Sequence, residues 1–227
     1  MDQVLREPLF YIFFIYGLSF VVMAYVVLRG IRKATSITFV TTFYALVIFG
    51  FTHGLTEWID WVRFIIKVSG AGEVRILVAL SQMFLVISFV VLLQFGINLL
   101  TYRSEKKSFI RLVPVLLLAF YIAALLIARV NDLLKAGLIA RHGFGFAGSL
   151  LSGIALFRLS SSMKLAGSSR LVRGLAVTAV GFILYSVFGG LIINPVIGLP
   201  VQLFRAACAF TIAVSSFSIL GVFKAVK

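Results

Sequence analysis

The sequence predicts an all-α polytopic membrane protein: a bundle of seven transmembrane helices with its amino terminus outside and its carboxyl terminus in the cytoplasm. Three observations lead there. Of the 227 residues 62% are hydrophobic and only 12% charged, whereas a soluble domain is roughly half apolar and a quarter charged. The apolar residues fall in runs of about 20, the length a helix needs to cross roughly 30 Å of hydrocarbon. Finally, lysine and arginine concentrate at alternate ends of those runs, as residues that resist translocation do.

Bounded from charge to charge, the runs are 9–28, 37–58, 76–100, 112–128, 139–157, 175–193 and 201–223. The first is a retained helix rather than a signal peptide, because Asp2, Arg6 and Glu7 make no basic leader and no small-x-small cleavage site follows. Pro114 falls in the first turn of the fourth run, where a missing N–H costs little. The fifth carries Gly145, Ser149 and Gly153 at intervals of four, with Gly148 and Ser152 beside them. Such a stripe lets neighbouring backbones approach, so this helix is expected inside the bundle; Gly189 and Gly190 of the sixth read alike. Pro195 and Pro200 bracket an uncharged segment, 194–200, expected to be a tight external hairpin. No connection is long enough for a second domain, so residues 1–227 form one membrane domain.

Orientation follows from the charges. The segments after runs one, three, five and seven hold Arg29, Arg32, Lys33, Arg103, Lys106, Lys107, Arg111, Arg158, Lys164, Arg170, Arg173, Lys224 and Lys227. These thirteen cations face a single acid, Glu105. The opposite side has eight cations, Arg6, Arg63, Lys67, Arg75, Arg129, Lys135, Arg141 and Arg205, accompanied by six acids. The expected location is the inner (plasma) membrane of a bacterium, multi-pass. The net charge of +14 reflects topology and contact with anionic lipid rather than nucleic acid, since the cations flank helices and form no aromatic-interleaved face. The lone cysteine, Cys208, excludes an internal disulfide.

An ionisable side chain inside an apolar helix costs about 2.5–3.5 kcal/mol on an insertion scale, so its position is informative. Counted along the helices, His53 lies about 26 Å from the cytoplasmic end of its helix, His142 about 24 Å and Arg205 about 28 Å. Glu57 lies one turn outward of His53 on the same face. Arg141, Gln202 and Asn194 share this depth, and Trp58, Asp60 and Trp61 would form an external rim. If the second, fifth and seventh helices adjoin, these residues line one external-side pocket. Three readings stand open: an ion-pair network that locks the bundle, with Glu57 paired to Arg205 or Arg141; a network that also binds a small external, lipid or quinone ligand; or histidine ligation of haem b or a metal by His53 and His142. A metal other than haem has little to hold it, because His-x-x-x-Glu lacks the second helical histidine of a zinc site. A rhodopsin is excluded, since the seventh helix has no lysine before Lys224 for a Schiff base. A small-solute transporter fits less well, because the mid-membrane polarity is slight: Gln94, Tyr185 and scattered serines and threonines.

Five segments carry a family resemblance: 49–61 (FGFTHGLTEWIDW), 92–100 (LLQFGINLL), 140–151 (ARHGFGFAGSLL), 185–193 (YSVFGGLII) and 200–209 (PVQLFRAACA). They resemble the amino-terminal seven-helix sensor region that precedes the output domains of bacterial sensor histidine kinases and diguanylate cyclases. The His-Gly-x-x-Glu-Trp element falls on His53, Gly54, Glu57 and Trp58, and the Pro-Val-Gln-x-x-Arg element on Pro200, Val201, Gln202 and Arg205. Both coincide with the depth cluster. His142 departs from the family pattern, which has tyrosine there, and that shifts weight from haem to ligand sensing. The resemblance implies a non-enzymatic receptor of two-component signalling, in which His53, Glu57, Arg141, His142, Gln202 and Arg205 bind ligand. Its signal would pass down the seventh helix to a cytoplasmic output domain or partner protein, and a homodimer is compatible with that role.

Overall fold

A computed structural model describes residues 2–32, 37–102, 110–163 and 169–219. The expected end of the seventh run, 220–223, and the cations Lys33, Arg103, Lys106, Lys107, Lys164, Lys224 and Lys227 lie outside the described residues. Among those described, the fold is helical with no strand. After a single turn, Asp2–Leu5, come α1 (Pro8–Ile31), α2 (Ile37–Val68), α3 (Arg75–Leu100), α4 (Val113–Ile127), α5 (Leu133–Met163), α6 (Ser169–Leu191) and α7 (Val201–Ile219). Four of these, α1, α3, α5 and α6, are long and apolar enough to cross a membrane; α4 and α7 are shorter apolar helices.

Several helices outrun the apolar stretches that mark them. α2 continues ten residues past position 58, taking in Asp60, Arg63 and Lys67, and α5 and α6 each begin six residues early. Charge-to-charge reading finds where hydrocarbon ends, whereas helical hydrogen bonding continues until the backbone is diverted. At the end of α2 the diversion is Gly70, whose φ of +79° lies in the left-handed region that glycine enters freely. Between α6 and α7 a two-residue turn at Ile197 and Gly198 closes the Val196–Leu199 bridge, the tight hairpin expected between the two prolines.

Six helices pack in a closed ring in the order α1, α2, α3, α5, α6, α7, with α7 returning to α1. The condition set for the pocket, that the second, fifth and seventh helices adjoin, is not met: α2, α5 and α7 alternate around the ring and meet only across its interior. α4 stands outside, attached where Tyr121 donates a hydrogen bond to the Ala136 carbonyl at 2.8 Å and packs on Phe144. Only Pro114 of α4 is buried, and Phe120, Leu126 and Ile127 are more than 70% exposed, a surface suited to hydrocarbon rather than water.

Small residues set the ring spacing. A Cβ on Gly54 would stand 2.9 Å from the Gly17 carbonyl oxygen, and one on Gly148 2.9 Å from the Leu93 nitrogen. Ser152 donates to the Leu92 carbonyl across the second of these seams, at 3.2 Å. The stripe on α5 thus works as expected, bringing α3 and α6 close on either side.

Candidate functional site

The deepest polar cluster centres on His53, which is fully buried within the ring. Its Nδ1 lies 2.9 Å from Ser88 Oγ on α3, and its Nε2 lies 2.7 Å from the Tyr185 hydroxyl on α6. Tyr185 OH in turn lies 2.6 Å from Tyr16 OH on α1. Phe20, Phe49 and Phe89 surround the imidazole, with ring centroids 4.7, 5.3 and 5.1 Å away. A buried imidazole with both nitrogens bonded and three aromatic walls has one orientation available to it, and it joins four helices into a single hydrogen-bonded unit.

The His-Gly-x-x-Glu-Trp element divides between two faces of α2. His53 and Glu57, four residues apart, point inward, and Glu57 is 2% exposed. Gly54 and Trp58 face α1: Gly54 admits the α1 backbone, and Trp58 Nε1 donates to the Phe14 carbonyl at 3.3 Å. Trp61 also packs on α1, against Phe10 and Phe14. The two tryptophans therefore clamp the α1–α2 seam, and neither lines the cleft described below.

Glu57 does not pair as expected. Arg205 is committed elsewhere, donating from Nε to the Phe188 carbonyl at 2.7 Å and from Nη2 to the Ile192 carbonyl at 2.8 Å. Those carbonyls belong to the end of α6, where Ser186–Leu191 is π-helical and leaves acceptors unused. Arg205 thus caps α6 from α7 and forms no ion pair with Glu57. The nearest basic group to Glu57 is His53 Nε2, 3.5 Å from Oε1, too far for a hydrogen bond. Glu57 Oε1 consequently has no hydrogen-bond partner among protein atoms, and the same holds for Arg141 Nη1 and Ser149 Oγ on α5. Arg141 sits with its guanidinium 5.8 Å from the centre of the Phe89 ring.

His142 is corrected outright. It lies on the exposed side of α5 while its neighbour Arg141 turns inward. Both belong to a second π-helical segment, Arg141–Gly145, which packs against the π-segment of α6. The widened turns face each other, and Gly190 lets the α5 backbone at Phe146 approach so closely that a Cβ would stand 2.6 Å from Phe146 Cα. A bis-histidine haem site fails on this geometry, because His53 has both nitrogens engaged and His142 faces away from the ring. Among the described residues no three His, Cys, Asp or Glu side chains gather as a metal site.

Outward of the buried cluster lies a cleft of about 580 Å³, lined by Phe13 of α1, Asp60, Arg63 and Phe64 of α2, Leu134 of α5 and Gln202 of α7, among others. Asp60 is three residues beyond Glu57, and Gln202 three before Arg205, so the cleft floor stands about 4.5 Å, less than one helical turn, above those residues. Asp60 accepts from Arg63 at 2.6 Å and from Ser81 at 2.7 Å, while Arg63 also reaches Glu73 at 2.5 Å. Gln202 and Asp60 are thus cleft residues, and Asn194 is exposed in the α6–α7 turn. Sequence reasoning missed Tyr16 and Ser88 as members of the cluster; a tyrosine near the middle of an apolar helix was the one available signal for Tyr16.

No family model, curated protein or solved structure matches this chain.

Proposed function

We propose that the chain is a membrane-embedded sensory module of a bacterial plasma membrane, without catalytic activity of its own. In this reading all seven helices, α1 to α7, cross the bilayer, with the amino terminus outside and the carboxyl terminus cytoplasmic. A small external or membrane-borne molecule enters at the cleft and binds between α2 and α5, and α7 carries the response to a cytoplasmic output domain or partner. The observation that carries the reading is the pair of buried, unpartnered polar atoms, Glu57 Oε1 and Arg141 Nη1, on the two helices that flank α3 in the ring. Buried polar atoms without protein partners are uncommon and are found where a ligand or solvent completes the bonding. A purely structural network would have given both atoms protein partners, because a buried polar atom left without a hydrogen bond costs about 1–3 kcal/mol.

Two facing π-segments at the same end of the fold support the same conclusion, since such widened turns occur frequently at functional sites. Arg205 supplies the mechanical link. It ties α7 to the π-segment of α6, so any rearrangement of that segment on binding pulls on the helix that leads toward the cytoplasm. The resemblance to seven-helix sensor regions, whose seventh helix leads into an output domain, is part of the proposal. Transport is the weaker reading, because the ring interior inward of His53 is filled by Phe43, Phe95 and Phe182, each fully buried.

The test joins a cytoplasmic kinase output domain to residue 227 and reads its activity in membranes. Glu57→Gln and Arg141→Gln should each change output, whereas Phe120→Ala on the outer face of α4 should not. If both interior variants give wild-type output at wild-type protein levels, the sensory reading is lost. A periplasmic reporter at residue 227 that is active only outside the cytoplasm would overturn the orientation.

A further inference from the structure

The outer side of the α6–α7 seam carries a long apolar groove ending in two arginines. It comprises two adjoining hollows of about 440 and 580 Å³ that share Arg173, Val177 and Thr211. Its floor is cut by small residues, Ala176, Gly181 and Ala207, and its far end is closed by Phe188 and Phe204, whose rings stack at 5.1 Å. At the near end stand Arg170 and Arg173, both exposed and neither in an ion pair among the described residues.

The seam beneath is held at both ends. Arg205 binds the Phe188 and Ile192 carbonyls above, and Thr178 donates to Ser215 at 2.7 Å below. Between them Gly181 lies so close to Ile212 that a Cβ would stand 2.7 Å from its side chain. The groove is therefore a fixed feature of the surface rather than a gap between loosely packed helices.

We propose that this groove binds one anionic phospholipid, its phosphate held by Arg170 and Arg173 and an acyl chain lying along the small residues toward Phe188 and Phe204. Length and charge select this occupant. From Arg173 to Leu184 is about 16 Å along α6, close to one leaflet of a hydrocarbon core of about 30 Å. Arginine forks also match phosphate oxygens, where an apolar helix of a partner would leave both cations unpaired. The inference requires that α6 and α7 cross the bilayer; it does not depend on which way they cross or on any ligand at Glu57.

The experiment measures lipid retention by native mass spectrometry on the full chain, delipidated and then offered equal phosphatidylglycerol and phosphatidylcholine of the same acyl composition. Wild type should retain phosphatidylglycerol preferentially, and Arg170→Gln with Arg173→Gln should reduce that preference by roughly thirtyfold, the combined effect of two arginines on an anionic headgroup. Arg29→Gln with Arg158→Gln, which removes two arginines elsewhere, should leave the preference intact. Ala207→Trp, which fills the groove, should lower retention of both lipids, and millimolar inorganic phosphate should not displace the bound one. Equal retention of the two lipids by wild type, or an unchanged preference in the Arg170/Arg173 variant, overturns the proposal. Loss of preference in the Arg29/Arg158 variant to the same degree would reduce it to general surface charge.

Discussion

The two halves of the ring interior are built on opposite rules. The half nearer the cleft gathers His53, Glu57, Tyr16, Tyr185, Arg141 and Arg205 and leaves polar atoms on Glu57 and Arg141 unmatched. The other half is packed with Phe43, Leu46, Phe95, Leu175 and Ala209, all fully buried, and Thr178 donates to Ser215 between α6 and α7 within it. Packed apolar side chains fill space and resist change. Unmatched polar groups raise the energy of the free protein and so give a ligand something to relieve. One half is suited to hold the fold and the other to respond, and substitutions should separate the two.

The largest expected effect belongs to the packed half. Phe95→Ala removes a fully buried ring that packs on Phe43 at 5.5 Å, and it should cost about 3–5 kcal/mol of stability. Unfolding of the purified protein in mixed micelles measures this. A loss below about 1 kcal/mol would mean that this half is loosely packed and that the contrast is misplaced.

Arg205→Gln comes next. It removes two charge-assisted hydrogen bonds to the end of α6. Glutamine keeps one amide donor group for those carbonyls, so the net loss should be about that of one such bond, about 1.5–3 kcal/mol. Beyond the stability loss, amide exchange should accelerate at residues 186–192 while the amino-terminal part of α6 stays protected. Uniform acceleration along α6 would show that Arg205 braces the whole helix rather than the π-segment.

Glu57→Gln should behave differently from an ordinary core substitution. Because Glu57 Oε1 has no protein hydrogen bond to lose, the amide isostere should leave stability within about 1 kcal/mol of wild type. Signalling output should change nonetheless. A stability loss of several kcal/mol would reveal a partner for the carboxylate and favour the structural network.

The sequence revealed depth and concealed direction. Residue counts from the helix ends put His53, Glu57, Arg141, His142 and Arg205 near one level, because 1.5 Å per residue is the same in every helix. Four of the five do lie in or against the ring interior. Facing was legible only where the helix was regular: His53 and Glu57 on α2 obey i, i+4 spacing. On α5 the π-segment Arg141–Gly145 breaks that spacing, and nothing in its composition announces the extra residue per turn. The Glu57–Arg205 pair failed for a related reason. Charge complementarity does not disclose that a second π-segment, in α6, exposes carbonyls that compete for the guanidinium. The ring order, with α4 outside it, was likewise hidden, since α4 is as apolar as its neighbours and an apolar helix reads alike whether it packs against protein or lipid.

The smallest expected effect is at His142, and it tests the comparison from its other side. His53 and His142 are the only two histidines, and residue counting puts them at nearly one depth, yet one is fully buried with both ring nitrogens bonded and the other is exposed. His142→Ala should change stability by no more than about 0.5 kcal/mol, the usual range for a surface position, and should leave output at the wild-type level. It should also leave the visible absorption spectrum of the purified protein unchanged. A Soret band that disappears in His142→Ala would require His142 to turn inward and His53 to release Tyr185 or Ser88. That would replace the hydrogen-bonded network with a haem site and remove the basis for reading Glu57 and Arg141 as ligand-binding groups. If the spectrum and output are unchanged at His142 while Glu57→Gln alters output, the responsive half of the interior is confined to the side chains that the π-segment and the regular turns of α2 direct inward.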